Sequence, residues 1–463
     1  MKVNSVDDVK GIVQGSATVG ETVTVTDREM FRGDVIDKLV YNAVFGPAPE
    51  IRGMARWIIK SAAINMGTWA ASIQGLYDAM GRGEVSGYTV PAVNIRGMSY
   101  DTARALVRAA MKNNAGTFIF EIAKSEIGYT LQRPNEYAVV MIAACVKEGF
   151  YGPVFIQGDH FQVNAKKYKE DPEKEVQSLK ALIEEAVGAG FYNIDIDTST
   201  LVDLDKPNLD EEQRLNYEVG AELTAHVRQH EPEGVTVSVG GEIGEVGEKN
   251  STVEELIAYM EGYKRALSAK GEYVGISKVS VQTGTSHGGV PLPDGSIAEV
   301  AIDFDTLDKL SHTAREKYGL SGAVQHGAST LPDEMFHHFP ETTTSEIHLA
   351  TGFQNMFYDS PHLPAGLKEK IYKGLAEKFG SERKEGQTEE QFIYKTRKKG
   401  FGLAKEEIWT LPESVRNAIG GELEQKFDFL FNKLKAVDNV ADVQKHVTHR
   451  RVEPGLEAET AMS

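Results

Sequence analysis

Three histidines and a glutamate stand at or near the ends of short apolar segments in the middle of the chain. Asp159-His160 ends GPVFIQGDH, Glu242 lies near the end of VTVSVGGEIG, and His287 and His326 lie near the ends of SKVSVQTGTSHG and GAVQHGAS. Imidazole nitrogens with a carboxylate oxygen suit zinc and similar divalent ions. A single histidine in such a place is more often a hydrogen-bonded core or loop residue, but three in equivalent places favour a metal site.

These segments belong to a longer series that alternates with helix-length stretches between Tyr88 and Gly352. Besides the four above, the series contains YTVPAVN, GTFIFEIA, YNIDIDTS and EIHLATG. Eight βα units favour a closed (β/α)8 TIM barrel, because an open doubly wound sheet usually has about five to seven parallel strands. Active sites of such barrels lie at the carboxyl ends of the strands, where the candidate ligands stand. Ser99 before one helix and Asp171-Pro172 before another are typical helix-start signals.

The remaining residues predict additions to the barrel. We expect a helical N-terminal extension over 1–80, the barrel over 81–358 and a helical C-terminal extension over 359–463. In the first part, the apolar spacing of Trp57 to Ala63 predicts helices packed beside the barrel, without a strand repeat. Near the end of the chain, we expect a solvated tail that contains His446, His449, Arg450 and Arg451.

Composition excludes several classes of protein. Of 463 residues, 41% are hydrophobic and 25% are charged, which indicates a soluble globular protein. The net charge of −18, without a long basic cluster, argues against nucleic acid and anionic membranes as partners. The single Cys145 cannot form an internal disulfide, and its apolar surroundings predict a small core residue. Because the start of the chain has no apolar signal region, we expect a cytoplasmic protein.

Four motifs together carry a resemblance to a known family. GDHF, GEIGEVGE, GTSHGG and QHGAS, in this order on these strands, resemble the class II, metal-dependent fructose-bisphosphate and tagatose-bisphosphate aldolases from about Leu76 to Gly352. The resemblance implies a (β/α)8 fold, a divalent cation such as Zn2+, and a homo-oligomer. It also implies reversible aldol cleavage of a ketose bisphosphate, first of all fructose 1,6-bisphosphate, to dihydroxyacetone phosphate and glyceraldehyde 3-phosphate.

The resemblance assigns roles to the metal-side residues. His160, His287 and His326 match the family's metal histidines, and Glu242 matches the glutamate of the family's AELG-like motif, which we take as a fourth ligand. Asp159 matches the catalytic aspartate, although support of a ligand histidine is the alternative. Glu248 is the candidate for proton abstraction from carbon, and a solvated loop charge is its alternative.

The substrate-side residues match the family less closely. The candidate contacts to the sugar phosphate are Asn94, Gly288, Gly327, Ser329, His348 and Thr351. Ala123 stands where the family often has a serine, Ser345-Glu346 where a lysine is usual, and His348 where an asparagine is usual. His348 is therefore open to three interpretations, as a hydrogen-bond donor, an additional ligand or a barrel-interior residue. Asn94 is either a contact to the substrate or a turn residue at the end of its strand.

Other functions stay open at this level. A non-catalytic accessory aldolase subunit would keep the fold without turnover, and its signature would be a missing ligand. An aldolase, isomerase or epimerase for another sugar phosphate would explain the departures before and on the last strand. A dinucleotide site at VTVSVGGEIGEVG is disfavoured, because the glycine spacing is wrong and Glu242 and Glu245 would face the pyrophosphate.

Overall fold

Eight parallel strands close into a barrel in the computed structural model, which describes residues 2–244, 249–284 and 302–462. The strands are β1 Val90–Asn94, β2 Ile119–Ala123, β3 Gly152–Gln162, β4 Asn193–Asp197, β5 Ser238–Glu242, β6 Lys278–Val281, β7 Ala323–Gln325 and β8 Glu346–Leu349. Each pairs with the next, and β8 closes the barrel on β1 through the register Glu346↔Val90 to Leu349↔Val93. The predicted (β/α)8 barrel is confirmed, and each predicted segment contains one strand.

Helices surround the barrel. Those between and after the strands are Ser99–Lys112, Lys124–Tyr129, Pro134–Glu148, Ala165–Glu170, Pro172–Ala189, Leu209–His230, Val253–Ser268, Phe304–Tyr318, His338–Glu341 and Thr351–Asp359. Asp171 caps its helix as predicted, since its side chain accepts a hydrogen bond from the Lys174 N–H. Ser99 is the first helical residue rather than a cap, and its hydroxyl donates to Gln132 Oε1 over 2.6 Å. Cys145 is buried in the core, as predicted.

The inside of the barrel is polar, whereas the main apolar core lies between the strands and the helices. Lys278 Nζ donates to Glu346 Oε1 over 2.6 Å and to Gln157 Oε1 over 2.7 Å, and it lies 3.0 Å from Asp195 Oδ1. Tyr77, from the N-terminal segment, donates its hydroxyl to Glu346 Oε2. All five side chains are buried, so this network replaces the branched apolar side chains that usually fill such a barrel.

The N-terminal segment contains strands that the sequence analysis missed. Its helices are Val6–Ile12, Arg28–Met30, the π-helix Phe31–Val35, Ile36–Phe45, Pro49–Met66 and Gln74–Gly81, and its strands are Ala17–Val19, Val23–Val25 and Thr68–Ala71. Thr68–Ala71 pairs in parallel with the first residues of β3, from Thr68↔Gly152 to Ala71↔Phe155. This pairing is possible because β3 begins several residues before it meets β4 at Gln157.

The C-terminal segment is helical, and its end is not a solvated tail. Its α-helices are Ala365–Phe379, Glu389–Thr396, Gly400–Leu403, Lys405–Trp409, Glu413–Lys433, Val440–His446 and Leu456–Ala461. Val443 and Val447 are buried in the same apolar cluster as Leu76, although His449 and its two following arginines are exposed. The buried Glu459 lies 2.7 Å from Lys60 Nζ. The expectation of a tail holds for the exposed His449, Arg450 and Arg451, but it was wrong for the chain on either side of them, because local polarity does not report long-range packing.

Among the described residues, no helix has both the length and the apolar character needed to cross a membrane. The division of the chain at residues 80 and 358 into two extensions and a barrel stays a prediction.

Candidate metal and substrate site

His160, Glu242 and His326 converge at the carboxyl-terminal mouth of the barrel. Glu242 Oε2 lies 3.5 Å from His160 Nδ1 and 3.9 Å from His326 Nε2. The two imidazole rings lie 4.3 Å apart between centroids, and each of the three residues offers a ligand atom within 4.8 Å of the others. Two imidazoles and a carboxylate at this spacing fit a zinc-type cation. The fourth candidate, His287, lies outside the described residues.

A β-bulge at the end of β3 turns His160 toward this point. In the pairing with β4, Gly158 is opposite Ile194 and Phe161 is opposite Ile196, so β3 carries one extra residue there. His160 itself has φ +42°, in the left-handed region that non-glycine residues rarely adopt. Adjacent strand residues normally face opposite sides. The bulge lets both Asp159 and His160 line the mouth.

Asp197, the last residue of β4, is a site residue that the sequence analysis missed. Its Oδ2 lies 3.1 Å from His160 Nδ1, and its Oδ1 accepts hydrogen bonds from the hydroxyl and N–H of Ser199. The strand-end rule that selected the histidines also applies to YNIDIDTS, so the signal was present in the sequence.

The surrounding carboxylates make this point favourable for positive charge. Burial by itself lowers the pKa of His160, but Asp159, Asp197 and Glu242 outweigh it and hold that pKa well above its ordinary value. Burial raises the pKa of Asp197, yet its hydrogen bond and charge interaction with His160 lower it overall. A cation at this point would be stabilised by the same carboxylates.

Asp159 is buried beside the candidate ligands and lines the cavity above them. Its Oδ1 lies 3.8 Å from His160 Nε2 and 3.2 Å from His348 Nδ1. The carboxylate therefore has both a cavity-facing position and a fixed partner on β8. Glu248, the other candidate for proton transfer, lies outside the described residues.

His348 lies in the barrel interior, at the floor of the cavity. Its Nδ1 is 3.0 Å from Glu121 Oε2, and its Nε2 is 2.6 Å from Glu346 Oε1 and 3.5 Å from Asp195 Oδ2. Burial lowers the pKa of His348, but Glu121, Asp159 and Glu346 raise it well above the ordinary value. The side chain thus combines the interior position with a hydrogen-bonding role.

A cavity of about 410 Å3 opens above the candidate ligands. The residues expected to contact substrate that line it are Asn94, Gly327, Ser329, His348 and Thr351. Asn94 Nδ2 donates to Glu126 Oε2 over 2.5 Å. Thr351 begins a helix, whose first backbone N–H groups have no partner within the helix, and one of them, the Gly352 N–H, donates to Ser329 Oγ over 3.1 Å. Gly288 lies outside the described residues.

Two basic side chains at the cavity were not predicted. Arg96 follows β1, and its Nε donates to Glu126 Oε1 over 2.7 Å while Nη1 donates to Gln354 Oε1 over 2.8 Å. Lys398 comes from the C-terminal segment and lines the same cavity. Within the described ranges, Lys398 Nζ makes no hydrogen bond or ion pair, and burial followed by repulsion from Arg96 lowers its pKa. The basic run RKK could be read from the sequence. Its position at the cavity could not be predicted, because it lies far from the barrel strands along the chain.

Most of the chain is similar to known proteins. Residues 76–408 match the family model described as class II fructose-bisphosphate aldolase. The chain is similar to a solved structure described as a probable tagatose 6 phosphate kinase from Sinorhizobium meliloti 1021, with 16% identity, 81% of this chain and 100% of that chain covered, and a TM-score of 0.53.

A second similar structure is described as a fructose-bisphosphate aldolase from Campylobacter jejuni. It has 18% identity, covers 80% of this chain and 97% of that chain, and has a TM-score of 0.47. Comparison with curated protein sequences found no match. At these identities, the Sinorhizobium structure supports the fold alone.

Proposed function

Because the chain belongs to the class II fructose-bisphosphate aldolase family, we propose that it cleaves a ketose bisphosphate reversibly by aldol chemistry. Fructose 1,6-bisphosphate is the first candidate, and its products would be dihydroxyacetone phosphate and glyceraldehyde 3-phosphate. The observation that carries the proposal is the convergence of His160, His326 and Glu242 beside Asp159 at the floor of one cavity.

We assign the cation site to His160, His287 and His326, with Glu242 as fourth ligand and Zn2+ as the first candidate ion. When bound, the cation supplies Lewis-acid stabilisation of the negative charge that develops as the carbon–carbon bond breaks. Asp197 supports this site, because it holds His160 Nδ1 through a 3.1 Å contact. Partners of this kind orient ligand histidines in metal sites.

Asp159 is our candidate for the proton of the hydroxyl that becomes the aldehyde. It is buried, it faces the cavity, and its Oδ1 is held 3.2 Å from His348 Nδ1. A carboxylate in such a position can take a proton directly from a bound hydroxyl. Glu248 is our candidate for the carbon-bound proton, on the strength of the motif alone.

The cavity offers two places for anionic groups. Backbone N–H groups at the start of helix Thr351–Asp359, with Gly327 and Ser329 beside them, suit a phosphate. Lys398 adds local positive charge to a chain whose net charge is −18, whereas the charge of Arg96 is shared with Glu126. This local charge supports a phosphorylated substrate, which the protein as a whole would repel.

A second candidate is an aldolase, isomerase or epimerase for another sugar phosphate. The buried His348 and the adjacent Glu346 favour it, because the family usually has other residues at these positions and here they form the cavity floor and the network beneath it. A non-catalytic accessory subunit is less well supported, since every candidate ligand within the described residues is present at the site. Homo-oligomerisation is proposed from family membership alone.

The test is a substrate panel assayed on metal-loaded and chelator-treated protein. We expect release of dihydroxyacetone phosphate from fructose 1,6-bisphosphate, loss of this release after chelation, and recovery with Zn2+. Cleavage of tagatose 1,6-bisphosphate or fructose 1-phosphate instead would support another ketose. Full activity after complete metal removal, with a borohydride-trapped lysine adduct, would overturn the proposed chemistry.

A further inference from the structure

A second cluster of ligand-type side chains lies on the outer face of the barrel, away from the cavity. His226 and His230 are four residues apart on helix Leu209–His230, and Glu184 lies on the neighbouring helix Pro172–Ala189. Glu184 Oε1 is 3.0 Å from His226 Nε2 and 3.7 Å from His230 Nε2. The two imidazole rings lie 4.1 Å apart between centroids.

This spacing fits one transition-metal ion. Ligand atoms about 2.0–2.1 Å from a tetrahedral zinc ion lie roughly 3.3 Å from one another. The two contacts of Glu184 Oε1, at 3.0 and 3.7 Å, fall on either side of that value. All three ligand atoms also lie within 4.8 Å of one another.

The histidines present the correct nitrogens. His230 Nδ1 lies 2.8 Å from the carbonyl oxygen of His226, so Nδ1 is the donor and Nε2 carries the lone pair toward Glu184. His226 also presents its Nε2, which lies 3.0 Å from Glu184 Oε1. The nearby Lys180 is ion-paired with Glu222 over 2.6 Å, so its charge is compensated.

We propose that Glu184, His226 and His230 form a second site for a zinc-type divalent ion, with water in the remaining coordination position. On binding, the single ring proton of a neutral His226 would move from Nε2 to Nδ1 through solvent, which frees Nε2 for the ion, and the ion would link the two helices that follow β3 and β4. Binding at this site does not depend on the proposed function, because none of its residues lines the central cavity.

The test counts bound Zn2+ in the full-length protein by mass spectrometry after loading and desalting. We expect two ions in the unmodified chain, one in His230→Ala, one in His326→Ala, and none in the double variant. His312→Ala is the matched control, since His312 is an exposed helical histidine beside Asp308 with no second histidine, and it should retain two ions. Aldolase activity should be unchanged in His230→Ala.

Glu184→Gln gives a second measurement, because glutamine keeps a hydrogen bond to His226 and removes the charge. We expect Zn2+ to raise the thermal midpoint of His326→Ala, and to raise it less when Glu184→Gln is added. The second site would be overturned if His230→Ala still bound two ions and if Zn2+ raised the thermal midpoint of His326→Ala equally with and without Glu184→Gln. If the unmodified chain binds one ion and His326→Ala still binds one, the central site holds no ion and the proposed function is contradicted. The outer site is then tested by whether His230→Ala loses that ion.

Discussion

His348 Nδ1 lies 3.2 Å from Asp159 Oδ1, so the last barrel strand holds the carboxylate at the end of the third. On its other side, His348 Nε2 lies 2.6 Å from Glu346 Oε1, which also accepts a hydrogen bond from Lys278 Nζ over 2.6 Å. A continuous polar chain therefore runs from Tyr77 at one end of the barrel, through Glu346 and His348, to the floor of the cavity.

Replacing His348 by leucine should destabilise the fold. Its imidazole lies among Glu121, Asp159, Asp195 and Glu346, and its loss would remove the positive charge that these four buried carboxylates share. Breaking a buried ion pair in this way costs about 3–5 kcal/mol. Urea unfolding of metal-free protein measures the change. His312→Leu, on an exposed helix, should stay within about 0.5 kcal/mol of the unmodified chain. Equal stability of the two variants would contradict this account.

Asp159→Asn should reduce turnover and leave the central ion in place. Asparagine keeps the size of the side chain but cannot take a proton, and loss of a proton-transfer group typically costs about 10²–10⁴-fold in rate. Steady-state kinetics with fructose 1,6-bisphosphate, together with metal analysis, provides the measurement. A near-normal kcat would assign Asp159 to support of His160 rather than to catalysis.

His287→Ala should lose the central ion and keep the fold. His287 lies outside the described residues, so this prediction rests on the motif GTSHGG. The measurement is the ion count in a His230→Ala background, which removes the proposed outer site from the result. Far-ultraviolet circular dichroism checks the fold. Retention of one ion per chain would refute His287 as a ligand.

Lys398→Ala should weaken binding of phosphorylated substrate. Lys398 lines the cavity and makes no hydrogen bond or ion pair with a described residue, and its Nζ lies over the Tyr129 ring at 5.6 Å, so its ammonium group is available to an anion. A hydrogen bond to a charged group contributes about 1.5–3 kcal/mol, which predicts a KM raised by roughly tenfold or more with less effect on kcat. Lys373→Ala is the control, since the Lys373 side chain is 79% exposed. Equal KM values for both variants would argue against an anion contact at Lys398.

Lys60→Met should destabilise the protein through its contact with the end of the chain. Lys60 Nζ is buried and bonds to Glu459 Oε1 over 2.7 Å, Asn135 Oδ1 over 2.6 Å and the Ala189 carbonyl over 3.1 Å. Removing it leaves Glu459 charged and buried, at a cost of about 3–5 kcal/mol. The exposed pair Lys112 and Asp428 supplies the comparison, and Lys112→Met should cost about 0–1 kcal/mol. Adding Glu459→Leu to Lys60→Met should recover part of the loss.

Much of the barrel was predictable because its signals are local. Short apolar segments that alternate with helix-length stretches predicted all eight strands, and the rule that sites lie at strand ends selected Asp159, His160, Glu242 and His326. The same rule applied to β4 selects Asp197. Asp197 was therefore predictable from the sequence, although it was not predicted.

The sequence alone determined the order of the βα units, the choice of candidate metal ligands at the strand ends and the family motifs. These follow from side-chain chemistry and from periodicity over a few residues. Only the tertiary structure decided that Lys398 reaches the cavity from the C-terminal segment, that Tyr77 extends the polar chain inside the barrel, and that Glu459 is buried against Lys60. Each of these contacts joins residues far apart in the chain. Their positions depend on how whole helices pack against the barrel, and no local pattern records that packing.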